Sequence, residues 1–88
     1  MIQREIVLRN QMGLHIRPAK KFTELASKYK SHVFLVRGDM RVNAKSIMGV
    51  VMLAAGPGSR LTLECDGEDE VEACNQLVAL IDNKFGEE

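Results

Sequence analysis

The residues most able to do chemistry in this sequence are a histidine and an arginine, His15 and Arg17, which lie in the segment GLHIRPA. The neutral imidazole ring of a histidine has a nucleophilic lone pair and can carry a transferred group covalently. The guanidinium of an arginine is a permanent cation whose forked donors match the oxygens of a phosphate. Together, these two side chains indicate a site that accepts an anion or a phosphoryl group.

The position of the pair at the start of a helix strengthens this interpretation. From Ile16 onwards, apolar residues recur at helical spacing, and Pro18 suits a first helical turn because its missing N–H would have no partner there. We therefore predict a helix from Ile16 to Tyr29. Its first N–H groups, those of Ile16 and Arg17, lack intrahelical acceptors and form an anion site. Gly13 permits an unusual backbone conformation that leaves space around the histidine ring.

A single histidine is most often a surface or helix-capping residue, and the residues alone leave two functions open for His15. In one, His15 carries a phosphoryl group covalently. In the other, His15 and Arg17 hold an anion with no covalent step. His32, in the segment KSHVF at the start of a predicted strand, serves as the comparison because no helix begins beside it. We predict no chemical role for His32.

The rest of the sequence predicts the elements that must position this site. The strands expected from alternating apolar residues are IQREIVLR, VFLVR, MRVNA and RLTLECD. The dipeptide Gly38-Asp39 predicts a hairpin that places Leu35 opposite Val42 on the core side, with Phe34 and Val36 on the other face. What covers that other face is left open.

Two further helices are expected. The segment SIMGVVML predicts a short helix with Ser46 as its N-cap. The final helix has a predicted apolar stripe at Val71, Cys74, Leu77, Val78, Ile81 and Phe85, and acidic residues at 68–70 that complement its dipole. The expected order is β-α-β-β-α-β-α. We predict an α+β fold, an open-faced β-sandwich with three helices on one face of a four-stranded antiparallel sheet.

Composition limits the class of function. A chain of 88 residues is enough for one small domain, residues 1–88, with a shallow site. Twelve basic and twelve acidic side chains balance, whereas nucleic-acid-binding proteins normally have a basic excess. The longest apolar run, Val50 to Ala55, is too short to span a bilayer. The N-terminal segment MIQREIVLRN has charges at Arg4 and Glu5 and lacks the apolar core of a signal peptide, so no signal peptide is apparent. We expect a cytoplasmic protein, monomeric, without nucleic-acid binding or membrane insertion.

The two cysteines, Cys65 and Cys74, have neither Cys-x-x-Cys spacing nor a histidine at metal-ligand spacing. Because both fall on predicted apolar faces, we expect buried, inert thiols. The sequence also lacks evident clusters of metal ligands and paired catalytic carboxylates, so it predicts no metal site.

The segment GLHIRPA resembles the active-site motif of HPr, the family of histidine-containing phosphocarrier proteins of the bacterial phosphoenolpyruvate-dependent sugar phosphotransferase system. The family pattern is Gly-Leu-His-Ala-Arg-Pro-Ala, and the chain departs from it at Ile16. KSIMGVVML is similar to the second motif of the family, and DGEDEVEA to the stretch that leads into its last helix. Because the motifs occur in the family order, the resemblance covers essentially the whole chain.

The resemblance implies a role for each matching residue. His15 matches the residue whose Nδ1 accepts a phosphoryl group from phosphorylated enzyme I and passes it to an enzyme IIA domain. Arg17 matches the arginine that stabilises this group during transfer. Such a protein is a carrier and a substrate of its partners, not an enzyme, and it needs no cofactor.

The second motif implies regulation and partner contact. Ser46 matches the serine modified by HPr kinase/phosphorylase in lineages that have this enzyme, although an N-cap serine needs no further function. Ile47 and Met48 match exposed apolar residues that contact partners, and Lys20 is placed to steer an acidic partner. Ile16 adds bulk behind the histidine, which bears on partner fit and transfer rate but leaves the backbone N–H in place.

Two alternatives to a sugar-type phosphocarrier remain. A nitrogen-type regulatory phosphocarrier of the same family would use His15 in the same way with different partners. A non-covalent anion-binding α+β module would need no partner protein. The sugars served and the presence of a Ser46 kinase are not encoded in these residues.

Overall fold

Four strands and three α-helices make up residues 1–87, the part of the chain that the computed structural model describes; Glu88, the last residue of the predicted domain, lies outside it. None of these helices has the length and apolar character needed to cross a lipid bilayer. In chain order the elements are β1 (Ile2–Val7), α1 (Ile16–Ala26), β2 (His32–Arg37), β3 (Met40–Asn43), α2 (Ile47–Met52), β4 (Arg60–Asp66) and α3 (Glu70–Asp82), followed by a 3₁₀ turn at Lys84–Gly86.

The four strands form one antiparallel sheet in the order β1-β4-β2-β3. The predicted hairpin is confirmed, since β2 pairs with β3 with Leu35 opposite Val42, and Gly38 in the turn has a φ of +58°. Leu35 also lies opposite Leu63 of β4. Neighbouring strands therefore present their apolar residues to the same face, as the open-faced β-sandwich requires.

The three helices cover this apolar face. Phe22 of α1, Leu63 of β4 and Leu77 of α3 are completely buried and belong to one apolar cluster that joins the helices to the sheet. Each Å² of apolar surface removed from water stabilises the fold by roughly 25 cal/mol. The sheet and the helices therefore hold each other in place, and the loops that connect them inherit fixed positions.

The other face of the sheet is shielded by its own side chains. The guanidinium of Arg41 lies 3.7 Å from the centroid of the Phe34 ring, and its Nε donates a hydrogen bond to Glu64 at 2.9 Å. Gln3 donates to the same carboxylate at 2.9 Å, and His32 stacks on Phe34 with ring centroids 6.4 Å apart. This polar covering answers the question that the alternation of β2 left open.

Several element boundaries differ from the sequence-based prediction by one residue, and two strand or helix ends, those of α1 and β1, differ by more. α1 ends at Ala26 and not at Tyr29, because the chain tightens there into i→i+3 hydrogen bonds, one of them from the Tyr29 N–H to the Ala26 carbonyl at 3.2 Å. β1 ends at Val7, although Leu8 is buried and its N–H donates to the Ser59 carbonyl at 3.0 Å. The apolar periodicity continued past both ends because the residues stay packed after the regular element has stopped.

The final helix differs as well. α3 ends at Asp82, and Phe85, predicted as the last residue of its stripe, is buried in the 3₁₀ turn that follows. The prediction for Val71 was wrong, since this side chain is 61% exposed. At 3.6 residues per turn, Val71 is rotated by roughly 120° from Leu77, outside the buried arc of the helix. The buried residues of α3 are Ala73, Cys74, Leu77 and Ile81.

Both cysteines are free thiols in the interior, Cys65 on β4 and Cys74 on α3, as predicted. Burial, and then the neighbouring Cys74 thiol, raises the pKa of Cys65 to about 12. Because the thiolate is the reactive form of cysteine, this thiol is chemically inert at neutral pH.

Asp69, at the N-cap position of α3, joins α3 to the loop that follows α1. Its carboxylate accepts hydrogen bonds from the Lys30 N–H at 2.8 Å and the Ser31 N–H at 2.9 Å, and from the Ser31 hydroxyl. The bond from the Ser31 hydroxyl, and then that from the Lys30 N–H, lowers the pKa of Asp69 from 3.8 to about 2. Of the acidic residues predicted to complement the helix dipole, Glu70 lies in the first turn of α3.

Replacing Asp69 by Asn should lower the free energy of unfolding at neutral pH, because a neutral amide is a weaker acceptor for these donors. A carboxylate with a lowered folded-state pKa stabilises the fold above the unfolded-state pKa, and this stabilisation is lost as the pH falls through the folded-state value. The wild type should therefore lose stability between about pH 4 and about pH 2 more steeply than Asp69→Asn.

Urea unfolding at a series of pH values measures this difference. Asp39→Asn, in the exposed turn between β2 and β3, is the matched control and should keep the wild-type slope. Parallel wild-type and Asp69→Asn profiles over the acid range would contradict the assignment.

Candidate functional site

His15 is the N-cap residue of α1, with extended backbone angles (φ −77°, ψ −177°) and no hydrogen bond from its side chain to the helix. An N-cap side chain ordinarily accepts from the N–H of the second or third helical residue. Here the third residue is Pro18, which has no N–H. The imidazole does not accept from the N–H of the second residue, Arg17, either, and its side chain is one-third exposed (33%).

The first two N–H groups of α1 are available to a ligand. Within residues 1–87, neither the Ile16 N–H nor the Arg17 N–H donates to a protein acceptor. The Arg17 side chain is exposed, and no carboxylate in the described part of the chain pairs with it. Free amide donors and the positive end of the helix dipole thus lie beside the His15 ring, and the exposed Arg17 cation belongs to the same helical turn, an arrangement that binds an anion.

The loop before α1 is fixed against the segment that follows α2. The Leu14 N–H donates to the Ala55 carbonyl at 2.9 Å, and the buried Asn10 amide donates to the Gly13 carbonyl at 2.7 Å. Gly13 has a φ of +67°, and a Cβ at this position would lie 2.4 Å from the Ala55 oxygen. Glycine is required here by both the backbone angle and the close approach, so the expectation from sequence gains a second cause.

A shallow cavity of about 240 Å³ opens beside the ring. Its volume lies below the range of small-molecule pockets, so it suits a small group or a single side chain of a partner. Arg37 holds one wall in place, since its Nη1 donates to the carbonyls of Leu53 at 2.8 Å and Ala54 at 3.1 Å. The cavity is lined by Met12, Leu14, His15, Val51, Ala54, Ala55 and Gly56.

The remaining predicted site residues lie on α1 and α2. Lys20 is exposed on α1, and Ile47 and Met48 are 40% and 72% exposed in the first turn of α2. Ser46 is the N-cap of α2, as predicted, and its hydroxyl accepts from the Gly49 N–H at 3.2 Å. It is Val51, near the end of α2, that lines the cavity with His15, whereas Ser46 lies at the opposite end of this helix.

Sequence reasoning missed a carboxylate that lies beside the ring. Oε1 of Glu87 lies 3.6 Å from Nε2 of His15, and the Glu87 side chain is 14% exposed. No local pattern marks this residue, because the contact joins the start of α1 to the end of the described chain. No group of three His, Cys, Asp or Glu side chains within residues 1–87 is placed to hold a metal ion.

The chain is similar to known proteins along its whole length. Residues 2–83 match the family model described as the PTS HPr component phosphorylation site. The phosphocarrier protein HPr of Cupriavidus necator is 54% identical over 87 residues, which cover 99% of this chain and 98% of that protein.

Solved structures agree with this similarity. A crystal structure of HPr from Thermoanaerobacter tengcongensis matches with a TM-score of 0.96 and 44% identity, covering 100% of this chain and 99% of that one. A crystal structure of an HPr dimer from the same organism matches with a TM-score of 0.80 and 44% identity, covering 99% and 100% of the two chains.

Substitution of Gly13 by Ala should destabilise the fold more than the same substitution at Gly38. Both glycines have a similar positive φ, +67° and +58°, so both variants bear the strain of a left-handed alanine, about 1–2 kcal/mol. At Gly38 a Cβ meets nothing within 4 Å, whereas at Gly13 it meets the backbone of Ala55 and Gly56. Forcing atoms into this contact should cost an additional ~1–3 kcal/mol. Urea unfolding measures both values, and equal losses would show that the contact is not tight.

Proposed function

The chain belongs to the HPr family of phosphotransferase-system phosphocarriers, and on this basis we propose that His15 accepts a phosphoryl group from phosphorylated enzyme I and passes it to enzyme IIA domains. The observation that carries the proposal is the uncapped start of α1. A one-third-exposed imidazole stands there beside the free N–H groups of Ile16 and Arg17, and Pro18 supplies no N–H to this turn.

Each transfer is a displacement at phosphorus. The lone pair of Nδ1 of His15 attacks the phosphorus atom, an N–P bond forms, and the bond to the donor atom of enzyme I breaks with its electron pair returning to that atom. The N–H groups of Ile16 and Arg17 receive the phosphoryl oxygens, and the Arg17 guanidinium balances their charge. Transfer to enzyme IIA reverses these steps, since the N–P bond breaks and its electron pair returns to Nδ1. In both transfers the partner's site supplies most of the positioning.

A set of exposed apolar side chains on α1 and α2 is the proposed docking area for both partners. It consists of Ile16, Ile47 and Met48, which are 69%, 40% and 72% exposed. Lys20 is exposed on α1 and adds positive charge that steers acidic partners. Because a carrier must release each partner, these interfaces should be small and transient. Ile16, which departs from the family motif, adds apolar area at this surface and bears on partner fit.

The proposed protein is a carrier rather than an enzyme, and its own chemistry requires no cofactor. We propose that it works as a monomer in the cytoplasm, where two free cysteines are the expected state. A dimer is the alternative to a monomer, because a crystal structure of an HPr dimer from Thermoanaerobacter tengcongensis is similar to this chain. A nitrogen-type regulatory carrier would use the same site, and it would differ in which enzyme I donates to it.

Incubation with phosphoenolpyruvate and enzyme I should add one phosphate that is labile to acid and stable to base, as read by intact mass. His15→Ala should abolish this label because it removes the accepting nitrogen, whereas His32→Ala should keep it because His32 packs on Phe34 on the far face of the sheet. A non-covalent anion-binding module would gain no mass in any variant. Label retained in His15→Ala would place the phosphate elsewhere.

We further propose that Ser46 is a regulatory phosphorylation site of HPr kinase/phosphorylase. A phosphate on the N-cap of α2 is tolerated by the helix dipole, and it brings about two negative charges next to Ile47 and Met48. Charge at this apolar surface should oppose docking of enzyme I.

Ser46→Asp should therefore slow phosphorylation by enzyme I about tenfold or more, mainly through a higher KM for the carrier. Ser46→Asn is the matched control, since asparagine caps a helix as well as aspartate does and adds no charge. Steady-state kinetics with both variants measure the effect. Equal rates for Ser46→Asp and Ser46→Asn would contradict the proposal.

A further inference from the structure

The carboxylate of Glu87 is held against the imidazole of His15 at a cost to the fold. Oε1 lies 3.6 Å from Nε2, while Oε2 is buried and has no hydrogen-bond donor among residues 1–87. A buried carboxylate oxygen without a donor is destabilising and uncommon in native proteins. Oε1 is therefore the carboxylate oxygen that faces the ring, and Oε2 has no bond among residues 1–87 that would hold the side chain elsewhere.

The end of the chain is built to bring Glu87 to this position. Lys84 and Phe85 both have positive φ angles, 53° and 55°, which are strained for residues that carry a side chain. Phe85 is 1% exposed in the core, and its carbonyl accepts a hydrogen bond from Nζ of Lys21 on α1 at 2.8 Å. The Glu87 N–H closes the turn on the Lys84 carbonyl at 3.1 Å. After α3 the chain thus turns back over α1 and reaches the start of that helix at His15.

The two nitrogens of an imidazole have opposite roles in the neutral ring, since one carries the proton and the other a lone pair. The partner of one nitrogen selects the tautomer and so determines which nitrogen is nucleophilic. A carboxylate that faces Nε2 can only accept a hydrogen bond, so it favours the tautomer with the proton on Nε2. The lone pair is then on Nδ1.

We propose that Glu87 is a positioning residue for phosphoryl transfer, which keeps the His15 proton on Nε2 and leaves Nδ1 as the nucleophile. This inference rests on the proposed phosphocarrier function. The contact lies slightly beyond hydrogen-bond distance, as is common for catalytic contacts in unliganded sites that tighten when the partner binds.

The carboxylate also acts on the charge that develops during transfer. When Nδ1 forms its bond to phosphorus, the ring still carries the proton on Nε2 and becomes cationic. Glu87 then faces a cation, and a charge-assisted hydrogen bond is about twice as strong as a neutral one. In the reverse transfer, the protonated ring is the better leaving group, since the electron pair of the N–P bond returns to a cation. The same contact therefore favours formation of the N–P bond, and in the reverse transfer it helps by keeping the proton on Nε2, so that a neutral imidazole leaves.

The ring-nitrogen ¹⁵N chemical shifts of His15, measured at alkaline pH where imidazole is neutral, report the tautomer directly. In the wild-type protein the two shifts should be widely separated, with the proton on Nε2. In Glu87→Ala they should move towards each other as the proton distributes over both nitrogens. Glu87→Gln keeps the size of the side chain and an accepting oxygen but no charge, and should lie between. Glu24→Gln, an exposed carboxylate on α1, is the control of equal charge change and should match the wild type.

Steady-state phosphorylation by enzyme I supplies the second measurement. Glu87→Ala should lower kcat about threefold to tenfold, the value of one hydrogen bond, with an unchanged KM for the carrier. Glu87→Gln should lose less. Ring shifts that stay the same in Glu87→Ala would overturn the inference, and so would a raised KM at unchanged kcat, which would make Glu87 a docking contact. Equal effects in Glu24→Gln would do the same. If the wild type accepts no phosphate, the proposed function fails, while the ring shifts still decide the role of Glu87.

Discussion

The site depends on one missing hydrogen-bond donor, the N–H that Pro18 lacks at the third position of α1. A comparison with α2 shows the consequence. There the N-cap Ser46 accepts from the N–H of Gly49, the third helical residue, and the helix start is satisfied. The N-cap of α1 is also extended, but the third helical residue has no N–H, and the His15 ring and the first amides of the helix make no hydrogen bond with each other. An uncapped start costs about 1 kcal/mol.

This local deficit is tolerated because the surrounding backbone is held by contacts that do not involve the ring. The Leu14 N–H reaches the Ala55 carbonyl, Gly13 sits against the same segment, and Arg37 ties the end of α2 by two carbonyls. Phe22 anchors α1 in the core. The imidazole is consequently held in a rigid frame with about one-third of its side chain exposed, which suits the proposed function, in which two different partners reach it in turn.

The sequence predicted what is local and missed what is distant. The strands, the hairpin at Gly38 and the cap at Ser46 follow from alternation, turn chemistry and capping, each encoded within a few residues. Val71 was misplaced because an apolar residue in the first turn need not face the core. The end of α1 was misplaced because Tyr29 remains partly buried after the helix has ended. It lies in a loop whose Lys30 and Ser31 N–H groups donate to Asp69, 39 and 38 residues later in the sequence.

The two ring nitrogens of His15 show the same contrast between local and distant contacts. The environment of Nδ1 can be anticipated from a continuous motif, in which Arg17 and Pro18 follow the ring within one turn of helix. The environment of Nε2 depends on two positive φ angles, a buried Phe85 and a tie from Lys21, none of which has a signature in the sequence around the ring. A motif match therefore describes the side of the ring at which the proposed phosphoryl transfer takes place. Nε2 instead faces Glu87, which the 3₁₀ turn at Lys84–Gly86 brings to the ring from the other end of the described chain.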